Sequence, residues 1–254
     1  SLWSADNGGI MSEFTFEPLQ NGIEICVSKE HKFGTDAFLL ADFARPRHKD
    51  TVCDLGTGCG IIPLLMQIKF RPSLIYGVDI QEQAVRQFNI TVEHNKLEGL
   101  VPVCADLKEL WEGCPKGKFD VVTCNPPYKA ANAGIESLGD AQKIARHEIL
   151  CNINDVCRAA SKLLKFGGKL CICNRPERLA DVICAMRANN IEPKMLRFVS
   201  KTPADANWLF LIEGKLGSKP FMKVLPPLFV KDGDGFSKEL LEIYGGEKNN
   251  REGY

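Results

Sequence analysis

Phe119-Asp120-Val121-Val122-Thr123-Cys124-Asn125-Pro126-Pro127-Tyr128 is the stretch from which the rest of the chain can be read. Residues 119–124 are short, apolar and β-branched, the pattern of a buried strand. The strand runs straight into Asn-Pro-Pro-Tyr. Two prolines fix two φ angles and remove two backbone donors, and Pro126 pushes Asn125 towards an extended conformation. The product is a stiff strip at a strand's carboxyl end, offering an amide side chain, free carbonyls and a flat phenol. A planar group with an exocyclic amine needs acceptors for its N–H groups and a face to stack on. A single Asn-Pro or Pro-Tyr would mean only a stiffened loop; four such residues directly after a buried strand favour a site.

Upstream, residues 51–55 form a second strand, and Asp54-Leu55-Gly56-Thr57-Gly58-Cys59-Gly60 follows. Ile61, Leu64, Leu65 and Ile68 then recur at helical spacing. Strand, glycine turn and helix make the first unit of a nucleotide-binding sheet. Glycines let the backbone approach a ligand closely, and the helix N-terminus favours negative charge. A further strand over 74–79 ends in Asp79, nineteen residues after Gly60, where a carboxylate should meet a ribose diol. The spacing is Gly-x-Gly-x-Gly, with Ile61 where dinucleotide loops place their third glycine, and no Walker lysine follows. It suits a nucleoside with a small zwitterionic tail in place of phosphate, which describes S-adenosylmethionine. A strand over 101–104 closes on Asp106-Leu107, where a carboxylate could accept from an adenine amine; capping a helix over 107–111 is the structural alternative.

The 254 residues fit one α/β domain with additions. No apolar run reaches membrane-spanning length, and no signal peptide is visible, so a cytoplasmic protein without a membrane partner is expected. Eleven cysteines show no Cys-x-x-Cys. Cys53, Cys104, Cys124, Cys171 and Cys173 fall in expected core strands, which reads as reduced thiols and no metal site. The four histidines, His31, His48, His94 and His147, lie far apart. Net charge is zero, but 143–201 holds twelve Lys/Arg against five Asp/Glu, a local +7. Such a flank can hold a phosphate backbone or simply face solvent.

In chain order, Phe14, Phe16, Ile23, Ile25 and Val27 alternate with polar residues around Asn21-Gly22, predicting a hairpin. Thr35 or Asp36 could cap a helix that runs to about Ala44 and stops at Pro46. Ala84, Val85, Phe88 and Val92 mark a helix over 81–95. Residues 129–144 read as a loop beside the site. Val156, Ala159, Ala160, Leu163 and Leu164 predict a helix ended by Gly167-Gly168, with a strand over 170–173 behind it. Another helix face follows at Leu179, Val182, Ile183 and Met186. Strands at 195–200 and 208–213 stand close enough to pair. An extended segment over 226–230, a short helix near 238–244 and a tail at 248–254 complete the chain. The expected division is a hairpin-and-helix extension over 1–45, a core over 46–214 and a C-terminal extension over 215–254.

The glycine loop, Asp79, Asp106 and Asn125-Pro126-Pro127-Tyr128, in this order, resemble the class I S-adenosylmethionine-dependent methyltransferases, in the branch that methylates planar nitrogens. Lys32-Phe33-Gly34-Thr35-Asp36, Ala145-Arg146-His147-Glu148, Arg175-Pro176-Glu177-Arg178-Leu179 and Pro226-Pro227-Leu228 resemble most the tRNA adenine-N6 methyltransferases of the valine tRNA type. The resemblance implies a Rossmann-like, doubly wound α/β fold with a seven-stranded sheet, its last strand antiparallel, plus an N-terminal β-hairpin. It implies a cofactor site of Lys32, Thr35, Asp36, Asp54, Gly56, Gly58, Gly60, Asp79, Ile80, Asp106, Leu107 and Asn125, and a catalytic strip of Asn125, Pro126, Pro127 and Tyr128. The expected substrate is RNA, tRNA first. Glutamine-amide methylation of a release factor and guanine-N2 methylation of ribosomal RNA are the alternatives. The short segment before the glycine loop counts against the glutamine branch, which carries a separate helical domain.

Overall fold

A computed structural model of the chain describes residues 14–28, 33–126 and 152–245. Strands β1 (Thr15–Pro18) and β2 (Glu24–Val27) pair antiparallel. Asn21 and Gly22 both take positive φ in the turn between them, 58° and 74°. Helix α1 (Thr35–Ala44) ends ahead of Pro46, as its sequence predicts. Its N-cap is Gly34 rather than Thr35 or Asp36, and the Asp36 side chain accepts a first-turn N–H, that of Ala37.

The sheet is built from β3 (Thr51–Leu55), β4 (Leu74–Asp79), β5 (Leu100–Cys104), β6 (Phe119–Cys124), β7 (Leu164–Asn174), β8 (Ile191–Ser200) and β9 (Asn207–Leu216). These seven strands run in the order β8-β9-β7-β6-β3-β4-β5, with β9 antiparallel to both its neighbours. The expected architecture is therefore present, and larger by two short strands. β10 (Lys223–Val224) and β11 (Leu228–Phe229) both pair with the outer side of β8, giving nine strands. A two-residue hairpin, β12 (Lys231–Asp232) with β13 (Gly235–Phe236), leads into α6 (Lys238–Ile243).

Side-chain alternation along the central strands sends neighbours to opposite faces. Val52, Val121, Cys171 and Leu211 pack on one side with α1, α2 (Ile61–Lys69), α3 (Glu82–His94) and α6. Cys53, Val122, Ile172 and Ile212 pack on the other with α4 (Ile153–Leu163) and α5 (Leu179–Ala188). Ile25 and Val27 of β2 join the first of these cores, so the hairpin shares the domain's core. Its outer edge is completed by a helix. Thr91 Oγ1 and Asn95 Oδ1 of α3 accept from the backbone of Cys26 and Glu24, and Gln87 Nε2 donates to the Cys26 carbonyl. Residues four apart on a helix fall on one face, so they stand in for a missing strand.

The helix–strand junction at Leu163 departs from the sequence reading. Helix α4 is closed at its start by a capping box between Asn152 and Asp155. It then passes without a loop into β7, which begins at Leu164 rather than near Leu170. Gly167-Gly168 is therefore not a helix terminator. It lies where the β6–β7 register slips, with Phe119 opposite Leu164 but Val121 opposite Lys169. A Cβ on Gly168 would stand 2.9 Å from the Lys165 carbonyl oxygen and 3.0 Å from that of Phe119, so this bulge requires glycine. Gly168→Ala should lower stability by about 1–3 kcal/mol, read as a lower urea midpoint at unchanged slope; an unchanged midpoint would show that the bulge relaxes freely.

Candidate functional site

The parallel strands finish at one edge of the sheet, and the residues singled out from sequence leave from there. Leu55 pairs with Cys124, so the glycine loop after β3 and the Asn125 strip after β6 start side by side at the same level. Leu55 also pairs with Val78, which brings Asp79 to the loop's other flank.

The glycine loop is pinned to β4. Gly56 and Thr57 N–H groups both donate to the Val78 carbonyl, at 2.8 and 3.0 Å. Gly58 N–H donates to Asp79 Oδ2 at 2.8 Å, and Gln81 N–H to Asp79 Oδ1 at 3.0 Å. Each carboxylate oxygen keeps a second lone pair. Gly56, Gly58 and Gly60 all have positive φ, but for different reasons. A Cβ on Gly56 or Gly58 meets nothing within 4 Å, whereas one on Gly60 would lie 2.2 Å from the Phe88 ring. Gly60 is demanded by packing; Gly56 and Gly58 leave an open face. Ile80 beside them is 53% exposed, an apolar side chain of the kind a flat ring could cover.

Asp54 precedes the loop at the end of β3. It has no exposed surface and sits beneath the loop, accepting from Thr123 Oγ1 at 2.6 Å. Burial pushes its carboxyl up to about 7, against the opposing effect of the Thr123 bond. Its role is to join the ends of β3 and β6. Asp106 does not cap a helix: residues 107–109 form turns, Asp106 Oδ1 accepts from Lys108 N–H at 2.9 Å, and Leu107 packs partly into the second core. Cys104 is exposed at the end of edge strand β5, unlike the buried Cys53, Cys124, Cys171 and Cys173.

Asn125 stands half-buried where β6 ends. Its Nδ2 donates to Asp36 Oδ2 at 2.9 Å, and its Oδ1 accepts from Cys173 Sγ at 3.1 Å. Asp36 Oδ1 in turn accepts from Ala37 N–H at 3.0 Å. Thr35 Oγ1 accepts from Tyr244 OH at 2.8 Å, while the Tyr244 ring packs on Phe38 at 4.5 Å. Burial raises the Tyr244 hydroxyl, with the nearby Asp36 charge adding to it and the Thr35 bond opposing. Pro126 is half-buried beside Asn125. Pro127, Tyr128, Lys32, the 129–144 loop and residues 145–148 lie outside the described residues.

Cys173, Thr123 and Tyr244 are the members of this neighbourhood that the sequence did not mark as such. Cys173 and Thr123 sit near the ends of strands flanking the site, on buried faces, where a polar-capable side chain can reach the edge. The basic segment is also less open than its charge suggests. Lys165, Lys169 and Arg197 pair with Asp120, Glu213 and Glu239 from outside it, and Arg158, Arg178 and Arg187 pair within it. Arg175, Arg178 and Lys201 follow the carboxyl ends of β7 and β8, on the edge that carries Asn125. Among the described residues no group of three His, Cys, Asp or Glu converges as a metal site requires, and no helix is long and apolar enough to cross a membrane.

A family model described as a methyltransferase small domain matches residues 27–187. A tRNA1(Val) (adenine(37)-N6)-methyltransferase of Histophilus somni (strain 129Pt) is 31% identical over 160 residues, 62% of this chain and 65% of that protein. This match spans just under two thirds of that relative's length. The Aeromonas salmonicida (strain A449) protein of the same name is 28% identical over 183 residues, 71% of this chain and 73% of the relative. A predicted O-methyltransferase from Agrobacterium tumefaciens shares the fold at a TM-score of 0.65 and 20% identity, over 85% of this chain and 100% of that one.

The raised Asp54 carboxyl has a consequence for stability. A folded pKa of about 7 against the ordinary carboxyl value of 3.8 means that the folded state binds more protons between those values. Its contribution is fully present below the unfolded pKa and is lost as pH rises through about 7. Asp54→Asn keeps an acceptor for Thr123 and removes the titration. The variant's melting temperature relative to the parent should rise from acid to neutral pH and then level off; a pH-independent difference would contradict the assignment.

Proposed function

We propose that this chain, which belongs to the methyltransferase small domain family, transfers the methyl group of S-adenosylmethionine to the exocyclic N6 amine of an adenine in tRNA. The observation that carries the reading is the Leu55–Cys124 pairing. It puts the glycine loop and Asn125 on adjacent strands, about 4.8 Å apart, which supports a methyl donor and an acceptor amine meeting at one edge. The adenine-N6 tRNA specificity comes from the printed names of the curated relatives.

The residues present fit the cofactor. The open faces of Gly56 and Gly58 admit a close-lying tail, the remaining lone pairs of Asp79 suit a ribose diol, and the exposed Ile80 gives an adenine ring an apolar floor. Asp106 offers a carboxylate to the adenine amine. When bound, the cofactor supplies an activated methyl, so the chain's own task is alignment. Asn125 Oδ1 and the Pro126 carbonyl accept the hydrogens of the target amine and turn its lone pair towards the glycine loop. Tyr128 stacks on a base that has left its own stack. Arg175, Arg178 and Lys201 hold the RNA backbone beside the site, and binding falls as salt rises. Such a reaction belongs to the cytoplasm, where tRNA is found.

Purified protein incubated with labelled cofactor should methylate bulk tRNA and leave release factor unlabelled; the reverse would transfer the reading to a glutamine amide. Nucleoside mass spectrometry of tRNA from cells lacking the protein should show a lost N6-methyladenosine. Asn125→Ala should cut turnover by about a hundredfold with cofactor affinity little changed. Asp79→Ala should weaken cofactor binding first. Equal losses of turnover and cofactor affinity in Asn125→Ala would refute its assigned part.

A further inference from the structure

We infer that Asp36 and Cys173 are positioning residues that lock the Asn125 carboxamide in one orientation, and that Asp36 acts on this amide and not on the cofactor. The inference rests on the proposed part of Asn125 in accepting an amine. A side-chain amide has two nearly isosteric orientations, related by a half-turn, that exchange its oxygen and nitrogen. Only one of them places an acceptor before the substrate.

Asp36 selects the orientation, and Cys173 reinforces it. A carboxylate has only acceptors, so Asp36 Oδ2, 2.9 Å away, must face the Asn125 NH2. A thiol is a better donor than acceptor, so Cys173 Sγ, at 3.1 Å, favours the Asn125 oxygen. The half-turned amide would set oxygen against carboxylate and exchange the S–H···O bond for a weaker N–H···S contact. Cys173 is fully buried, so water does not compete for its hydrogen. Asp36 is itself fixed by Ala37 N–H in the first turn of α1, where the helix end favours negative charge. Tyr244, bonded to Thr35, braces the same turn from the C-terminal segment.

The geometry also limits what the amide can accept. Its oxygen has two lone pairs, and Cys173 occupies one direction. A single direction remains for one hydrogen of the incoming amine, and the second hydrogen is left to the Pro126 carbonyl. Neither partner donates to the substrate, so a keto oxygen in place of the amine would be opposed by two acceptors.

The test uses the full chain with Cys173→Ala, Cys173→Ser and Asp36→Ala, measuring turnover on tRNA and cofactor affinity by calorimetry. Cys173→Ala should lower kcat about five- to tenfold without altering the cofactor Kd, and Cys173→Ser, which restores a donor, should recover most of it. Asp36→Ala should lower kcat at unchanged cofactor Kd. A larger loss of cofactor affinity than of kcat in Asp36→Ala, or serine as slow as alanine at position 173, would overturn the assignment. A second readout needs no activity. In 15N-labelled protein the Asn125 NH2 signals, identified by their absence in Asn125→Ala, should shift and exchange faster in Asp36→Ala. If they do so while tRNA is not methylated, the lock stands and the proposed function fails. If they do not change, the lock fails whatever the enzyme's activity.

Discussion

A hydrogen bond that no solvent reaches, from Thr123 Oγ1 to Asp54 Oδ1, ties the end of β6 to the end of β3. Everything proposed for the site depends on those two strand ends staying in register. One releases the glycine loop and the other releases Asn125. Parallel pairing alone fixes their backbones, but the last residues of a strand have few ladder bonds to hold them. A buried bond to a carboxyl is among the stronger ones available there. The cost is a desolvated carboxyl, visible in its raised pKa, so stability is exchanged for a rigid edge.

From that edge the site assembles in layers. Backbone N–H groups of the glycine loop fold onto β4 and onto Asp79. The α1 turn closes over Asn125 from one core, and β7 brings Cys173 to the same amide. These contacts join positions that are 89 and 48 residues apart in the chain. Their precision therefore depends on the packing of α1 and β7 against the sheet. Ala37, Leu40, Cys171 and Cys173, all buried in one cluster, supply it.

Much of this was legible before any coordinates. Alternation and β-branching predicted β3, β4, β5 and β6 almost to the residue; for β3, β4 and β6, inside the sheet, burial permits little else. The helices α3 and α5 followed from their apolar spacing, and α1 from its capping candidates and the stop at Pro46. What escaped was set by tertiary context. Gly167-Gly168 has the composition of a helix stop, yet its function is to let β7 pass close to Phe119. The short strand β10 has no pattern of its own, and the extended segment expected over 226–230 contains β11 without revealing that it pairs with β8. The buried bond of Asp54 to Thr123 joins positions 69 apart and has no local signature. The contact of Asp36 with Asn125 is likewise invisible at a separation of 89 positions.

The two margins of the sheet differ in how they are closed. On one side, β10 and β11 each cover only a fragment of β8; on the other, β5 carries Pro102 at its centre, where a backbone donor is missing. Interrupted or donor-poor margins are poor templates for another molecule's strand. The nine-stranded sheet therefore ends where it does, and copies of this chain should resist stacking edge to edge into fibres even when crowded.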